Sequence, residues 1–404
     1  MSALPHIKLE QRHHLVLLLV ITALGIGLRL LNLTGKPPWT DEFATLVFGL
    51  GHSFETIPLD QVITQEVLLQ PLVPTPGIHL DKVLEHLFGE SNHPPLYFLL
   101  THLWLQMFPT SEGLVSLWGA RSLSALFGAA SIPAIFGLGY LAFRSLWIAQ
   151  LSAVLMATSP LGIYLAQEAR HYTLPILFAI ASLACLLTAT RALAERRRFP
   201  LSIVLIWVAV NGLGVATHYF FSLTIGAEGI VLAAIAGHQL YAHRQSLRPN
   251  PFTALPAEQN RPEQKRYIPF ASLQSIWVRI GAVALGTLTS MVVWLPFLEG
   301  VQDSEITQWI HKGDRAGLEW LDPVFQMLAG MITMLYMLPI QADLNWIRVV
   351  SYASLVILAI WTGFKLTQGF RLMGIQHSSQ ILGGFVGGAI ALFLIITYGF
   401  EREV

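Results

Sequence analysis

Residues 14–33 read HLVLLLVITALGIGLRLLNL, and residues 37–43 read PPWTDEF. An apolar run of about 20 residues is long enough to cross a bilayer as a helix. The two prolines then stop the helix, and Trp39 suits the depth of the lipid headgroups. Asp41 and Glu42 therefore lie where the chain emerges into water. A carboxylate there can act as general base on a lipid-attached substrate; the alternative is a solvated loop start.

The composition indicates an all-α, polytopic membrane protein. Of the 404 residues, 54% are hydrophobic and 12% are charged, which is about half the charged fraction of soluble proteins. Long, continuous apolar runs recur, and such runs span lipid as helices rather than as barrel strands. The 24 basic and 24 acidic residues balance, so no nucleic-acid partner is indicated. A single cysteine, Cys185, excludes an internal disulfide and a cysteine-based metal cluster.

Apolar length and positive charge together predict one integral membrane domain over residues 1–404, with nine spans. The first span, at 13–33, is predicted to be uncleaved, and an outer loop with juxtamembrane helices follows at 34–117. Five spans lie within 118–240, at 118–142, 146–166, 172–190, 201–217 and 219–240. A cytoplasmic loop at 241–274 precedes the remaining spans at 276–297, 346–364 and 379–399, with an outer loop over 299–340. The amino end is inside and the carboxyl end outside. The apolar piece 94–108 is too short to span comfortably, so we expect it to lie along the membrane surface or to dip into it.

Two further polar clusters fall on the same outer face as Asp41 in this topology. Residues 92–97 read NHPPLY, and His93 directly precedes a predicted helix. Helix N-termini attract anions, so His93 suits a phosphate; the alternative is a capping or solvated histidine. Residues 167–172 read QEARHY. If they are helical, Glu168, His171 and Tyr172 share one face.

Arg170 then points elsewhere, toward headgroups or a phosphate that its guanidinium can grip bidentately. The alternative for the whole segment is a charged hinge that keeps the turn in water. Arg29, near the outer end of the first span, either snorkels to the interface or pairs with Asp41 or Glu42. Glu228, in mid-span, is either functional or hydrogen-bonded to a neighbouring helix.

Three more polar positions follow from the topology. Asn211 is expected to bridge helices. His218 and Tyr219 open outward and can line a groove on the outer face.

In their order and spacing, these segments resemble a known family. The segments are Asp41-Glu42, His93-Pro94-Pro95-Leu96-Tyr97, Arg121, Ser159-Pro160 and Glu168-Ala169-Arg170-His171-Tyr172. The chain is similar to the polyprenyl-phosphate-sugar-dependent membrane glycosyltransferases, related to dolichyl-phosphate-mannose protein mannosyltransferases and to the bacterial aminoarabinose transferases of lipid A. The resemblance is specific over roughly 20–190 and diffuse beyond.

The resemblance implies a glycosyltransferase-C type fold with about nine transmembrane helices. It also implies an active site on the extracytoplasmic side of the cell (plasma or inner) membrane, among membrane lipids. The reaction would be inverting transfer from a polyprenyl-phosphate-linked sugar donor to a hydroxyl of a lipid, glycan or protein acceptor. The catalytic residues it implies are Asp41, Glu42 and Glu168, and the residues for the donor phosphate are His93, Arg170, His171 and Tyr172.

No cofactor follows from the sequence, apart from a divalent metal cation that Asp41 and Glu168 would suit. The alternative function is a lipid-linked-sugar flippase or transporter without transferase chemistry. Such a protein is expected to have paired broken helices in two related halves, and the sequence has no such symmetry. A third reading is a family member that has lost activity and acts as a scaffold.

Overall fold

The computed structural model describes residues 4–58, 60–110, 112–246, 270–294, 321–325, 327, 344–373 and 377–399. These residues are 78% helical and contain no strand, which confirms the all-α class. Most of the predicted cytoplasmic loop 241–274 and most of the predicted outer loop 299–340 lie outside the described residues.

Most helices begin or end where the sequence places a proline, a cap or a polar run. In chain order the helices are α1 (Leu4–Leu30), α2 (Thr40–Gly49), α3 (Gln65–Leu69) with a 3₁₀ turn (Gln70–Leu72), α4 (Leu80–Glu90), α5 (Leu96–Leu105), α6 (Leu117–Phe143), α7 (Leu146–Thr158), α8 (Pro160–Ala166), α9 (Thr173–Glu195), α10 (Leu201–Thr217), α11 (Phe221–Ser246), α12 (Phe270–Val292), α13 (Asn345–Met373) and α14 (His377–Gly399).

Six of the described helices are long and apolar enough to cross a membrane: α1, α6, α9, α11, α12 and α14. A seventh candidate is the pair α7–α8, which bends by 54° at Ser159. Pro160 opens α8 and has no N–H to continue the ladder of α7, which explains the break. The predicted span 201–217 coincides with α10, which is a shorter apolar helix, and 346–364 falls within α13. A polytopic membrane protein is therefore supported, and the count of nine spans stays a prediction.

Helix α6 packs against α1, α7 and α9, while α10 packs against α9 and α12, and α11 packs against α14. Small residues permit these close approaches. A Cβ added at Gly128 of α6 would lie 2.8 Å from the Cβ of Ala166, the last residue of α8. Since real Cβ atoms do not approach this closely, only glycine allows α6 to meet α8 at this point.

Arg29 neither snorkels to the interface nor pairs with Asp41 or Glu42, the two roles expected from the sequence. It is fully buried, and its guanidinium donates to the carbonyl oxygens of Met156 at 2.9 Å and Ala157 at 3.1 Å. These carbonyls lie in the last turn of α7, where an α-helix has no partners of its own to offer. The break at Ser159 thus creates acceptors inside the bundle, and Arg29 satisfies them in place of water or a carboxylate.

Glu228 on α11 accepts hydrogen bonds from Ser182 on α9 at 2.7 Å and from Trp207 on α10 at 3.1 Å. The amide oxygen of Asn211 on α10 lies 2.8 Å from the same Ser182 hydroxyl, and its NH₂ group donates to Thr287 on α12 at 3.2 Å. Both residues therefore bridge neighbouring helices. This agrees with the prediction for Asn211 and with the alternative that Glu228 is hydrogen-bonded to a neighbouring helix. Buried polar groups inside a bundle need such partners because lipid offers none.

The segment between α1 and α6 forms a layer at one end of the bundle. Helix α5 buries Tyr97 and Phe98, and the Tyr97 hydroxyl lies 2.6 Å from the hydroxyl of Ser124 on α6. Helix α2 packs on both α4 and α5. The short segment 94–108 is thus held against protein by α2, α4 and α6.

The opposite end of the bundle is marked by arginine. Arg191, near the end of α9, donates to the carbonyl of Ala142 near the end of α6 at 2.8 Å and to Ser378 on α14 at 3.1 Å. Helices α6 and α9 run in the same direction, so their first residues lie together at the other end, beside α2.

Candidate functional site

The segment 167–172 is a turn between α8 and α9, and the sequence-based assumption that it is helical is wrong. Helix α9 begins at Thr173, and the N–H of Arg170 donates to the carbonyl of Glu168 at 2.7 Å, which closes a tight turn. A second contact holds the turn, because the N–H of Ala169 donates to the carboxylate of Glu42 at 2.7 Å. The contact with Glu42 therefore holds residues 167–172 as a turn in place of a helix.

Glu42 and Arg121 form a buried, bidentate ion pair. The Nε and Nη2 of Arg121 donate to the two carboxylate oxygens of Glu42 at 2.8 and 2.7 Å. The side chains are only 1% and 2% exposed. Arg121 also donates to the carbonyls of Leu33 and Lys36, in the link between α1 and α2.

Glu42 therefore connects α2, α6 and the turn 167–172. Its Oε1 accepts from both Arg121 and Ala169, and its Oε2 accepts from Arg121. A carboxylate held this way fixes the position of its neighbours. The predicted catalytic role of Glu42 has no support in this geometry, and we assign it the positioning of Asp41, the residue before it.

Asp41 is the acid that meets solvent. Its side chain is 42% exposed, and its Oδ2 lies 3.3 Å from Nη2 of Arg170, which is only 3% exposed. The Nη1 of Arg170 donates to the carbonyl of Asp41 at 3.0 Å and to the hydroxyl of Thr45 at 3.2 Å. Arg170 thus points at the first turn of α2, whereas the sequence suggested headgroups or a phosphate.

His93 is part of the same arrangement. Its Nε2 lies 3.3 Å from Nη2 of Arg170. Because a guanidinium can only donate, Nε2 is the acceptor and Nδ1 carries the proton, which it directs to the hydroxyl of Ser91 at 3.1 Å. Both ring nitrogens of His93 are therefore engaged within the protein.

His171 lies beside His93 and His218, with ring centroids 5.5 and 4.6 Å away. We call these three residues the imidazole cluster. His171 is 1% exposed, yet neither of its ring nitrogens has a hydrogen-bond partner, and neither does the Nε of Arg170. Buried polar groups are normally paired, so the three unpaired nitrogens of Arg170 and His171 could bind a polar ligand.

Burial and positive neighbours keep the imidazole cluster neutral. Burial, with the charge of Arg170 added, lowers the pKa of His93 and the pKa of His218 to about 4. The pKa of His171 is also well below its ordinary value, first through burial and then through His218, Arg170 and His93. An anion placed against the cluster would reverse these effects, because it favours the charged form of each imidazole.

His218, in the turn between α10 and α11, is the residue that the sequence reasoning left without a phosphate role. Its Nδ1 accepts from the N–H of Phe220 at 3.1 Å, so its proton is on Nε2, which no described residue binds. The only sequence signal was its predicted outward-facing position in a tight turn between two spans.

Glu168 and Tyr172 lie at the edge of this arrangement. Glu168 is 6% exposed, and its carboxylate lies beside the Tyr164 side chain. The guanidinium of Arg170 lies 5.5 Å from the ring centroid of Tyr172, within cation–π range. Within the described ranges no group of three or more His, Cys, Asp or Glu side chains has the arrangement of a metal site, so the cation considered for Asp41 and Glu168 has no geometric support.

In comparison with known proteins, no family model and no curated protein matches the chain.

Proposed function

We propose that the protein is an inverting glycosyltransferase that uses a polyprenyl-phosphate-linked sugar at the extracytoplasmic face of the cell membrane. The observation that carries the proposal is the juxtaposition of the half-exposed Asp41 carboxylate with buried, incompletely paired Arg170 and His171. The Asp41 carboxylate suits a general base, and Arg170 and His171 suit a phosphate. Both lie at one end of a bundle of apolar helices, where a lipid-linked donor would present its head group.

The chemistry needs one base and one anion site. Asp41 takes the proton of the acceptor hydroxyl as the hydroxyl oxygen forms its bond to the anomeric carbon. The bond between that carbon and the phosphate oxygen breaks, its electron pair leaves with the polyprenyl phosphate, and the anomeric configuration inverts. Charge grows on the leaving phosphate, and preorganised N–H donors there lower the barrier. Arg170 supplies such a donor next to the base.

Arg170 also holds Asp41 in place. One of its nitrogens binds the carboxylate and another binds the Asp41 carbonyl, so the Asp41 oxygen that is not paired with Arg170 is left for the acceptor. A base fixed in this way has a defined direction of attack, which is a large part of enzymatic rate enhancement. By the positive-inside rule, the end of the bundle rich in arginine, around Arg191 and 196–198, would face the cytoplasm, and Asp41 at the other end would then face outside.

The flippase alternative would use ionisable groups within the spans. Glu228 is the described candidate, and both of its carboxylate oxygens accept hydrogen bonds from neighbouring helices. That arrangement favours a structural role for Glu228, so we prefer the transferase.

The test is donor consumption by purified protein in nanodiscs, with a panel of labelled undecaprenyl-phosphate sugars and a lipid and glycan extract as acceptor. Release of undecaprenyl phosphate is measured by mass spectrometry. We expect Asp41→Asn to abolish release, and Arg170→Ala to raise the apparent KM for the donor. Asp81→Asn, an exposed acid of the same loop on α4, is the matched control and keeps wild-type activity.

Full activity of Asp41→Asn would remove Asp41 from the base role. An unchanged KM for Arg170→Ala would remove Arg170 from the donor site. Transport of the labelled donor across the bilayer without any release of undecaprenyl phosphate would favour the flippase.

A further inference from the structure

The anion site beside Asp41 has an unusual charge balance. Arg170 is its only guanidinium with a free N–H among the described residues of the site, and Arg170 is already paired with Asp41 at 3.3 Å. The two charges cancel. A phosphate that binds here therefore needs positive charge from another source.

His93 cannot supply that charge without losing its present contacts. Its Nε2 accepts from Arg170, so a proton on Nε2 would oppose the guanidinium at 3.3 Å. His93 orients Arg170, and we treat it as a positioning residue. The sequence had placed it among the residues for the phosphate.

His171 and His218 have the required capacity. His171 has two buried ring nitrogens without a partner, and His218 has an Nε2 without a partner among the described residues. Their ring centroids are 4.6 Å apart. The two rings come from different turns, one before α9 and one before α11, so a ligand held between them would also join these helices.

We propose that His171 and His218, with the free Nε–H of Arg170, bind the phosphate of a phosphomonoester, and that at least one proton is taken up when it binds. This inference rests on the proposed function, in which the phosphomonoester is the polyprenyl phosphate released by transfer. A phosphomonoester is largely dianionic near neutral pH, whereas the donor is a diester with one charge. The site would therefore favour the leaving group over the donor and stabilise the charge that develops on it.

The other ionisable and polar groups around the rings of His171 and His218 leave the need for added positive charge at a bound phosphate unchanged. Arg170 and His93 add positive character, and Tyr97 and Tyr172 lie against His171 with centroids 6.2 and 4.9 Å away. Asp41 pairs with the Nη2 of Arg170, the same nitrogen that His93 faces, and so neutralises the guanidinium. With burial holding both imidazoles neutral in the free protein, the pKa of His218 is about 4. Between that pH and the pKa of a phosphate-bound imidazole, binding takes up a proton.

The experiment is titration calorimetry on the full chain in neutral phosphatidylcholine nanodiscs at pH 6, in two buffers with different ionisation enthalpies. The probes are farnesyl phosphate, inorganic phosphate and farnesol. The difference in heat between the buffers gives the number of protons taken up. We expect a net uptake of about half a proton or more with farnesyl phosphate, because roughly half of the monoester already carries a proton of its own at pH 6. We expect none with farnesol, and a Kd that rises by up to about tenfold per pH unit between pH 6 and 8.

The probes also identify the source of the phosphate. Uptake with farnesyl phosphate at concentrations where inorganic phosphate gives none assigns the lipid-linked monoester. Equal uptake at equal concentration assigns free phosphate to the same site. Binding of farnesyl phosphate without proton uptake overturns the proposal.

Three variants complete the test. His218→Gln keeps an N–H donor but cannot take a proton, so we expect a Kd raised about tenfold at pH 6 and a weaker pH dependence. His171→Gln is expected to behave alike. His86→Gln is the matched control, because His86 lies on α4 and pairs with Glu90 outside the imidazole cluster. Thermal unfolding confirms that each variant is folded; wild-type proton uptake in both His171→Gln and His218→Gln overturns the proposal.

This result is separable from that of the transferase assay. Proton-linked phosphate binding without sugar transfer would leave the anion site standing and remove the proposed reaction. Sugar transfer with no proton uptake would remove only the inference.

Discussion

The ion pair between Glu42 and Arg121 can be tested by the change Glu42→Gln. The substitution keeps the shape of the side chain but replaces one carboxylate oxygen by an NH₂ group. That group would face the Arg121 guanidinium, which can only donate. One of the two contacts at 2.8 and 2.7 Å is therefore lost, and a guanidinium that is 2% exposed keeps its charge without a counterion.

The expected loss in the free energy of unfolding is about 3–5 kcal/mol, the usual effect of removing one partner of a buried ion pair. Two features place Glu42 in this range. Its carboxylate also accepts from the N–H of Ala169, and Arg121 keeps its bonds to the carbonyls of Leu33 and Lys36. The guanidinium therefore cannot leave for water without breaking further contacts.

The assay is reversible unfolding in mixed detergent micelles, followed by tryptophan fluorescence as sodium dodecyl sulfate is added. The double variant Glu42→Gln/Arg121→Met completes a mutant cycle. We expect a coupling energy of about 2 kcal/mol or more, since the two side chains are in direct contact. Glu85→Gln is the matched control, because Glu85 pairs with Lys82 on the exposed surface of α4, where an ion pair contributes little.

The reasoning would be refuted if Glu42→Gln unfolded with the free energy of the wild type. If it also lost all donor consumption, Glu42 would belong to the chemistry, as the sequence first suggested. A destabilised variant that retains activity when folded would support the positioning role.

Two further predictions concern the same end of the bundle. Lowering the pH from 7 to 5 should destabilise the phosphate-free protein by about 2 kcal/mol or more. The pKa of His93 and the pKa of His218 are lowered from about 6.5 to about 4 in the folded state. Stability that is present above pH 6.5 is therefore lost as the pH falls toward 4. Thermal unfolding at both pH values, with and without inorganic phosphate, measures this, and an unfolding temperature independent of pH would contradict it. Arg29→Met should cost about 2 kcal/mol or more, because it leaves the carbonyls of Met156 and Ala157 unpaired; unfolding in mixed micelles is the measurement, and wild-type stability would show that the break between α7 and α8 needs no such donor.

Much of the candidate site could be anticipated from short motifs. Asp41 follows a span and a Pro-Pro pair, and Arg170 lies in a polar turn between apolar runs, so the sequence places both at the outer face. Their contact at 3.3 Å is a finding of the structure, because the sequence directs Arg170 toward headgroups or a phosphate. The motifs did not reveal what Glu42 does, since adjacent carboxylates look equivalent in a sequence.

The failures have a common physical origin. Residues 168–172 have a helical pattern, but the carboxylate of Glu42 binds a backbone N–H there from 127 residues away. Arg29 was expected at the interface or with a carboxylate, and its acceptors are carbonyls freed by a helix break 127 and 128 residues away. Local patterns carry no information about such partners.

The sequence by itself determined the class of the protein, because the free energy of placing about 20 apolar residues in lipid is local and additive along a segment. It did not determine where helices stop, since α1 ends at Leu30, before Pro37, and α6 continues through Pro133. Only the tertiary structure decided which charges meet. Buried pairs such as Glu42 with Arg121, and orphaned groups such as His171, depend on how helices distant in sequence pack, and that packing brings side chains together that no short stretch of sequence relates.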